Sequence, residues 1–539
     1  MFSNQATWIA AQRALADKEC VTVPSTGRRD FLCTMAAGFL ATTGGPLTAS
    51  GDVWAQTPVP KKGGRIRVAT QSSSVADTLD PAKGALGTDY VRNNMFYNGL
   101  TEFDAYLGAQ LALARSIDQK SPTIWIIKLR RGVLFHDGKS MTAADVVYSL
   151  LRHKDPAFAS KVKTIADQFK EIKATAPDEV RITLVGPNAD LPVILADTHF
   201  QIVKDGATDF RTAVGTGPFK VKEFNPGGLT VAIRNENYWR PGRPYLDQIE
   251  LIGIADEATR VDALLAGDLQ LIGAVDPRST SRIKQTAGFS VLETKTGKYT
   301  DLIMRDEGGI TGNRDFRLGM KYLLDRQEIL QGVFLGFGTI GNDQPIDPFN
   351  RFYLADLPQT PFDPDKAKFH FKKAGLGDTP LEVFAAPAAA GSIDMAALLQ
   401  QAMVSIHLDL NITRVSSDGY WANHWMKHPL SFGNINARPS VDALFTQLFV
   451  SDAAWNEANW KNPKFDRLLM AARGEPDDAK RKKMYGDMQV LIHENGGVGI
   501  PAFVSSIDAH SSKLRGLGSI PIAGLMGFAF AEHVWLESS

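Results

Sequence analysis

The chain has 539 residues, 44% of them hydrophobic and 22% charged, which is globular content and more chain than one compact core takes, so two or three lobes are expected. Lys+Arg and Asp+Glu both number 59, giving zero formal charge, and nothing in that balance asks for nucleic acid or an anionic membrane surface. No apolar run of roughly 18 residues follows residue 55, so no membrane span is expected in the body of the protein.

The first element is a leader. Arg28 and Arg29 stand directly before "FLCTMAAGFLATTGGPLTA" (31–49), an apolar but Ala/Gly/Thr-rich run, and "VWAQ" places Val53 and Ala55 as a small-residue cleavage site. Together these read as a signal peptide over 1–55, of the twin-arginine type, cleaved near Ala55 to give a periplasmic protein. The rival reading, a basic pair ahead of a core helix, meets "TTGGP", which would spoil such a helix. The only cysteines, Cys20 and Cys33, lie in this segment, so the mature body would hold no disulfide, thiol nucleophile or thiolate metal site. Leu32 is not the small residue that a lipidated cysteine follows, which favours a soluble exported protein. The arginine pair lies late. No methionine separates Met1 from Arg28, so either the basic region is long or translation starts at another codon, such as that of Val21 or Val23.

Past the leader, "GGRIRVAT" (63–70) alternates apolar and basic residues and reads as a strand. Tyr90, Val91, Met95 and Phe96 fall near helical spacing, with a break at Gly99. A strand is expected at 124–130, then a tight Asp137-Gly138 turn and a helix from about Ala143 with Thr142 as N-cap. "DEVRITLVGP" is another alternating strand, and "GTGPFKVKEF" (215–224) a glycine turn opening a strand. The latter lacks the phosphate-loop pattern and is followed by a strand, so no helix N-terminus would meet an anion there. Residues 229–254 read as strand, aromatic turn, strand, and 256–273 as a helix with a small strand behind it. From about 314 the texture is more helical, with Phe316, Met320, Leu323 and Leu324 on one face. A short helix should end at Gly375. Next come a helix over 394–406, a strand over 408–415, and two amphipathic helices within 462–496. Mixed strands and helices make the class α/β.

No catalytic constellation appears: there is no G-x-S-x-G, H-E-x-x-H or C-x-x-C, and no spacing singles out a carboxylate pair. His424 and His428 have i,i+4 spacing that would seat a metal if helical, but Pro429 ends any helix and no third ligand is evident, so no metal and no cofactor are expected. The stretch "WANHWMKHPLSFGNINARPSVD" (421–442) is dense in Trp, Asn and Arg, which suits either a solute pocket or a core edge.

The ordered motifs carry a resemblance. "TLDPA" (78–82), "YNGLTEFD" (97–104), "WIIKLRRGVLFHDGKSMTAADVVYSLLR" (125–152), "GTGPFKVKEF", "RNENYWRPGRPYLDQIEL" (234–251), "ALLAGDLQL" (263–271), "RDFRLGMKYLLDRQEIL" (314–330), "DPDKAKFHFKKAG" (363–375) and the stretch 462–503 span the mature chain. In this order they resemble the extracytoplasmic solute-binding proteins of ABC importers, peptide/nickel type, family 5. The resemblance implies a two-lobed periplasmic-binding-protein (Venus-flytrap) fold with an extra inserted lobe and mixed sheets. Lobe I would comprise about 56–108, 215–300 and 500–539, lobe II about 109–214, and lobe III about 301–499. Two strands crossing between lobes I and III would form the hinge, and lobe II would stay off the ligand. The expected role is capture of a peptide or peptide-like solute by lobe closure and delivery to the permease and ATPase subunits, by a monomer that is not an enzyme. Binding of a non-peptide solute, opine- or sugar-like, or of a metal chelate in the same fold is the alternative.

Peptide-binding members of that family neutralise the peptide's amino terminus with an Asp. The corresponding stretch here, 432–442, has no acid from Asn434 to Arg438, and Asp442 lies beyond. Arg438 would instead favour a carboxylate, phosphate or hydroxyl-rich ligand, because its fork binds oxygens in pairs. The expected ligand residues are Trp421, Trp425, Asn436, Arg438 and Trp455 on the lobe III wall, faced by Ser72, Ser73, Ser74 and Tyr97 from lobe I.

Overall fold

A computed structural model describes residues 59–377 and 379–537; the expected leader, both cysteines and the cleavage site lie outside the described residues. No helix among the described residues is long and apolar enough to cross a membrane.

The first strand, β1 (Arg65–Thr70), buries Ile66 and Val68 while Arg65 and Arg67 point out, as its alternation requires. Helix α1 (Gly87–Phe96) follows. Asp89 holds its first turn by accepting the N–H groups of Ala85 (3.1 Å) and Leu86 (3.2 Å). Strands β2 (Ala114–Ser121), β3 (Ile124–Leu129), β4 (Phe169–Ala176) and β5 (Glu179–Leu184) make a separate antiparallel sheet, ordered β2-β3-β5-β4. Helix α2 (Ala143–Leu151) packs on it. Its cap is the acid half of a capping box: Asp145 accepts from both the N–H (2.7 Å) and the hydroxyl (2.9 Å) of Thr142. Trp125, Ile127, Val146, Phe169 and Ile182 belong to the core between them.

The rest builds one large mixed sheet. In chain order its main strands are β6 (Phe219–Phe224), β7 (Thr230–Arg234), β8 (Gln248–Gly253), β9 (Leu271–Ile272), β10 (Phe289–Met304), β11 (Leu381–Ala385), β12 (Leu410–Arg414), β13 (Leu430–Ile435) and β14 (Ala502–Ser511). The order across the sheet is β12-β11-β13-β10-β14-β9-β1-β8-β7-β6. Strand β1 runs parallel to both neighbours, whereas β10 and β14 are long and antiparallel. These two central strands join the half built from residues 65–272 to the half built from 381–435. Each half has its own cores, one around Phe96, Phe219 and Leu251 and another around Phe316, Met395 and Phe432.

The glycines of "GTGPF" serve close packing. A Cβ on Gly215 would stand 2.1 Å from the Phe96 carbonyl oxygen, and one on Gly217 2.3 Å from the Phe96 carbonyl carbon. The N–H of Gly217 donates to that same oxygen (3.0 Å), which locks the turn against the end of α1.

Two helical readings change. The stretch 314–333 is one face in sequence but breaks in structure: a helix over Arg314–Tyr322 stops, and Asp325 caps a new turn by accepting the N–H of Glu328 (3.0 Å). The break lets Arg326 turn inward to Asp343 (2.5 Å). Around the paired histidines, the helix covers only Tyr420–Asn423.

Candidate functional site

A cavity of about 1170 Å³ opens beside β10 and β14. One side is built from the end of β1 and the next residues (Thr70, Gln71, Ser72), the first turns of α1, and the C-terminal stretch 518–529. The other offers Thr296 and Lys298 from β10 and Asn436, Ala437, Arg438 and Pro439 from the loop after β13. Residues 196–199 and Gln201, which fall within the segment expected to stay off the ligand, also line it.

Of the expected ligand residues, the structure places Ser72, Asn436 and Arg438 on the cavity lining. Ser73 and Ser74 sit just behind: the Ser73 hydroxyl donates to Asp77 (2.5 Å), and the Ser74 hydroxyl accepts the N–H of Ala76 (2.9 Å). Tyr97 is fully buried, and its hydroxyl donates to the Leu79 carbonyl (3.0 Å). Trp421, Trp425 and Trp455 form an edge-to-face ladder with centroids 5.8 Å apart at each step, outside the lining, with Trp421 and Trp455 exposed. Arg438 links the ladder to the cavity, because its guanidinium carbon lies 5.8 Å from the Trp455 ring centroid.

The ladder rests on an acid pair. Trp425 Nε1 donates to Glu457 Oε1 (2.6 Å), and Glu457 adjoins Asp301 on β10 with only Gly433 fitting above them. Burial raises the pKa of both carboxyls; the charge of Glu457 raises that of Asp301 further, while the hydrogen bonds from Trp425 and Asp301 oppose the rise at Glu457, so the pair favours sharing a proton. Asp442 faces away from the cavity into an ion pair with Arg473 (3.0 Å); burial pushes its pKa up to about 6.

The charges on the cavity are unequal in their pairing. Glu102 and Glu532 both meet Arg240 (2.6 and 2.7 Å), Asp276 meets Arg278 (2.7 Å), and Asp197 meets His199 (2.7 Å). Burial works against a charged His199, yet the Asp197 hydrogen bond prevails and its pKa is raised. Asp508 has only the Leu525 N–H on Oδ2 (2.5 Å), while its buried Oδ1 has no partner. Burial pushes the Asp508 pKa up to about 7. The two cations are open. Arg438 Nε donates to Gln447 (2.6 Å) and Nη1 to the Asn436 carbonyl (3.0 Å), with no carboxylate at ion-pair distance among the described residues. Among the described residues, Lys298 has no ion-pair partner. Burial lowers the pKa of both. Tyr90, from α1, also lines the cavity; burial raises its pKa to about 12, and the field of Arg438 opposes that rise.

His424 Nδ1 and His428 Nε2 lie 3.1 Å apart, and the His428 ring stacks on Phe384 with centroids 3.5 Å apart. Among the described residues no group of three or more His, Cys, Asp or Glu is placed to hold a metal ion.

Sequence reasoning missed Lys298, Tyr90 and Asp508. One signal was present for the first: Gly297, inside an otherwise strand-like run, marks a bulge. For Asp508 the signal was an acid inside the apolar run of β14.

A cavity of this size beside two strands shared by both halves of a mixed sheet is the geometry of a solute-binding site. The profile of bacterial extracellular solute-binding proteins, family 5 Middle, matches residues 109–457, and the chain belongs to that family. It is 23% identical over 475 residues to the glutathione-binding protein GsiB of Escherichia coli strain K12, covering 84% of this chain and 92% of that one. The structure shares its fold with the ABC transporter-associated periplasmic binding protein DppA of Helicobacter pylori in complex with the peptide STSA: TM-score 0.72, 23% identity, 89% of this chain and 99% of that one. It does so too with AgaA of A. tumefaciens R10 in complex with agropinic acid: TM-score 0.70, 20% identity, 88% and 99%.

Proposed function

We propose that this protein captures a peptide or peptide-like solute bearing a free carboxylate and delivers it to an ABC permease. The observation that supports this most is Arg438: a half-buried guanidinium on the cavity with no carboxylate partner and with Nη2 outside the bonds that fix its other nitrogens. Desolvating a cation without a counter-charge is costly, and an incoming carboxylate offsets that cost. The peptide bound by DppA and the glutathione of GsiB's name fit this class.

In this reading lobe I (56–108, 215–300, 500–539) and lobe III (301–499) close on the solute, lobe II (109–214) is the insert, and β10 and β14 carry the hinge. Closure is favoured only so far as the solute binds the closed form better. The ligand contacts are Ser72, Asn436 and Arg438, with Ser73, Ser74, Tyr97 and the tryptophans behind or beside them. The leader 1–55 exports the chain by the twin-arginine route, cleavage falls near Ala55, and a periplasmic monomer binds its solute without turning it over. A non-peptide organic acid is the second reading. It is favoured by the absence of an acid between Asn434 and Arg438 and agrees with the agropinic acid held by AgaA.

Native mass spectrometry of freshly purified protein would identify retained cargo, and calorimetry with that cargo would test the anchor. Arg438→Ala should weaken binding by about tenfold or more, the usual worth of a charge-assisted bond. Unchanged affinity would sink the assignment.

A further inference from the structure

We propose that Lys298 forms a second anion subsite in the same cavity, so that the solute carries two acidic groups, one for Arg438 and one for Lys298. This rests on the binding reading above.

The argument begins in β10. Its register against β14 shifts between Thr294, opposite Ser506, and Lys298, opposite Val504: four steps on one strand against two on the other. The bulge is held firmly. Thr296 donates its hydroxyl to the Val504 carbonyl (2.7 Å) and accepts the N–H of Lys298 (3.1 Å). Gly297 packs close to Asp347 there: a Cβ would stand 2.8 Å from Oδ2, the movable end of that side chain. Bulges beside functional sites re-aim side chains, and this one sends the two lysines of the segment to different fates. Lys295 pairs with Glu293 and donates to the Gly338 carbonyl (2.8 Å). Lys298 goes to the cavity, with no acid at ion-pair distance among the described residues.

The pattern of pairing supplies the rest. Glu102, Glu532, Asp276 and Asp197 on the cavity are ion-paired with groups of the protein itself; Asp104, Glu257 and Asp508 accept only N–H and O–H groups of the protein, and neither cation there has a carboxylate at ion-pair distance among the described residues. Two unpaired cations around one cavity each bear a desolvation cost, and each cost is recovered when an anion arrives. Lys298 is a compact point charge and Arg438 a planar fork, so they would receive separate groups of one solute.

The test is titration calorimetry at low salt with two matched pairs of probes: the tripeptides Ala-Asp-Ala and Ala-Asn-Ala, and glutarate with its monoamide. The wild-type protein should prefer the acid member of at least one pair by about tenfold, the scale of one charge-assisted contact. Lys298→Gln should reduce that preference below about threefold while leaving the amide member's affinity in place, and Lys298→Arg should restore it. The proposal is overturned if the wild type shows no acid preference in either pair, whether by equal binding or by none. It is overturned equally if Lys298→Gln keeps the preference. Arg438→Ala leaving all affinities intact would sink the carboxylate reading of Arg438 while the Lys298 preference stood. Binding confined to the glutarate pair would sink only the peptide reading.

Discussion

Two sets of cations divide this molecule. Away from the cavity, inward-turned arginines meet carboxylates: Arg92 with Asp77 (2.9 Å) and Asp89 (3.1 Å), Arg152 with Asp80, Arg326 with Asp343, and Arg481 with Asp190 (each 2.5 Å). At the cavity, Arg438 and Lys298 meet none. The closed pairs tie distant stretches of chain, as Arg481 ties the long helix Asp478–Asn495 to the region around residue 190. Of the open pair, Arg438 ties only its own loop to Gln447 nearby, and Lys298 bridges no distant stretch of chain. The interior cations Arg260 and Lys321 also lack a close carboxylate among the described residues, and backbone carbonyls take their hydrogen bonds; Arg438 and Lys298 differ in facing a cavity from which a solute would supply the counter-charge.

The largest effect should come from breaking a closed pair. Arg326→Met strands the fully buried Asp343 and should cost about 3–5 kcal/mol in urea unfolding at neutral pH. Arg438→Met strands no carboxylate and should change stability by about 1 kcal/mol or less. Equal losses from the two would dissolve the distinction between structural and open cations.

Much of the fold was legible because each element announced itself locally. "RIRVAT" alternates and is β1; the helix expected to end at Gly375 ends there, with Gly375 at φ 77°. The strand expected after "GTGPF" is there, although the glycines' close approach to Phe96 is a tertiary fact no local pattern shows. The site was legible only in part. Arg438, Asn436 and Ser72 stand on the cavity, but Tyr97 is turned inward by its bond to Leu79, a residue 18 positions away. Trp421 and Trp455 were marked by composition, and composition does not say which side of the Trp425 ladder faces a cavity. Lys298 depends on a register shift between strands some 200 residues apart, visible only once β14 is laid beside β10.

The open acid tests the same contrast from the other sign. Asp508 is fully buried, unpaired on Oδ1, and raised from an ordinary carboxyl to about 7 by burial. The folded state therefore keeps a proton that the unfolded chain releases near pH 4. Its stabilising share is whole below about pH 4, shrinks as pH rises, and is gone above about pH 7. Asp508→Asn keeps an oxygen for the Leu525 N–H and removes the titration. It should match the wild type near pH 4 and exceed it by about 1–3 kcal/mol near pH 7.5. Thermal or urea unfolding across that range checks this. Parallel curves would mean that Asp508 is compensated after all.

The finest comparison lies within one bulge. Lys295 and Lys298 are three residues apart on β10, and only the first has a carboxylate. The Lys295–Glu293 pair is about one-third exposed at each side chain, so Lys295→Gln should cost no more than about 0.5–1 kcal/mol, less in high salt. Lys298→Gln should be neutral or slightly stabilising, because it removes a desolvated charge that nothing offsets in the unliganded protein. The informative quantity is the difference in sign rather than the size of either number. Urea unfolding of both variants at about 0.1 M and 1 M salt would read it. Solute affinity should survive the first substitution and lose its acid preference with the second. Two variants with the same sign of stability change would show that Lys298 is already compensated inside the protein, and the second anion subsite would lose its physical basis.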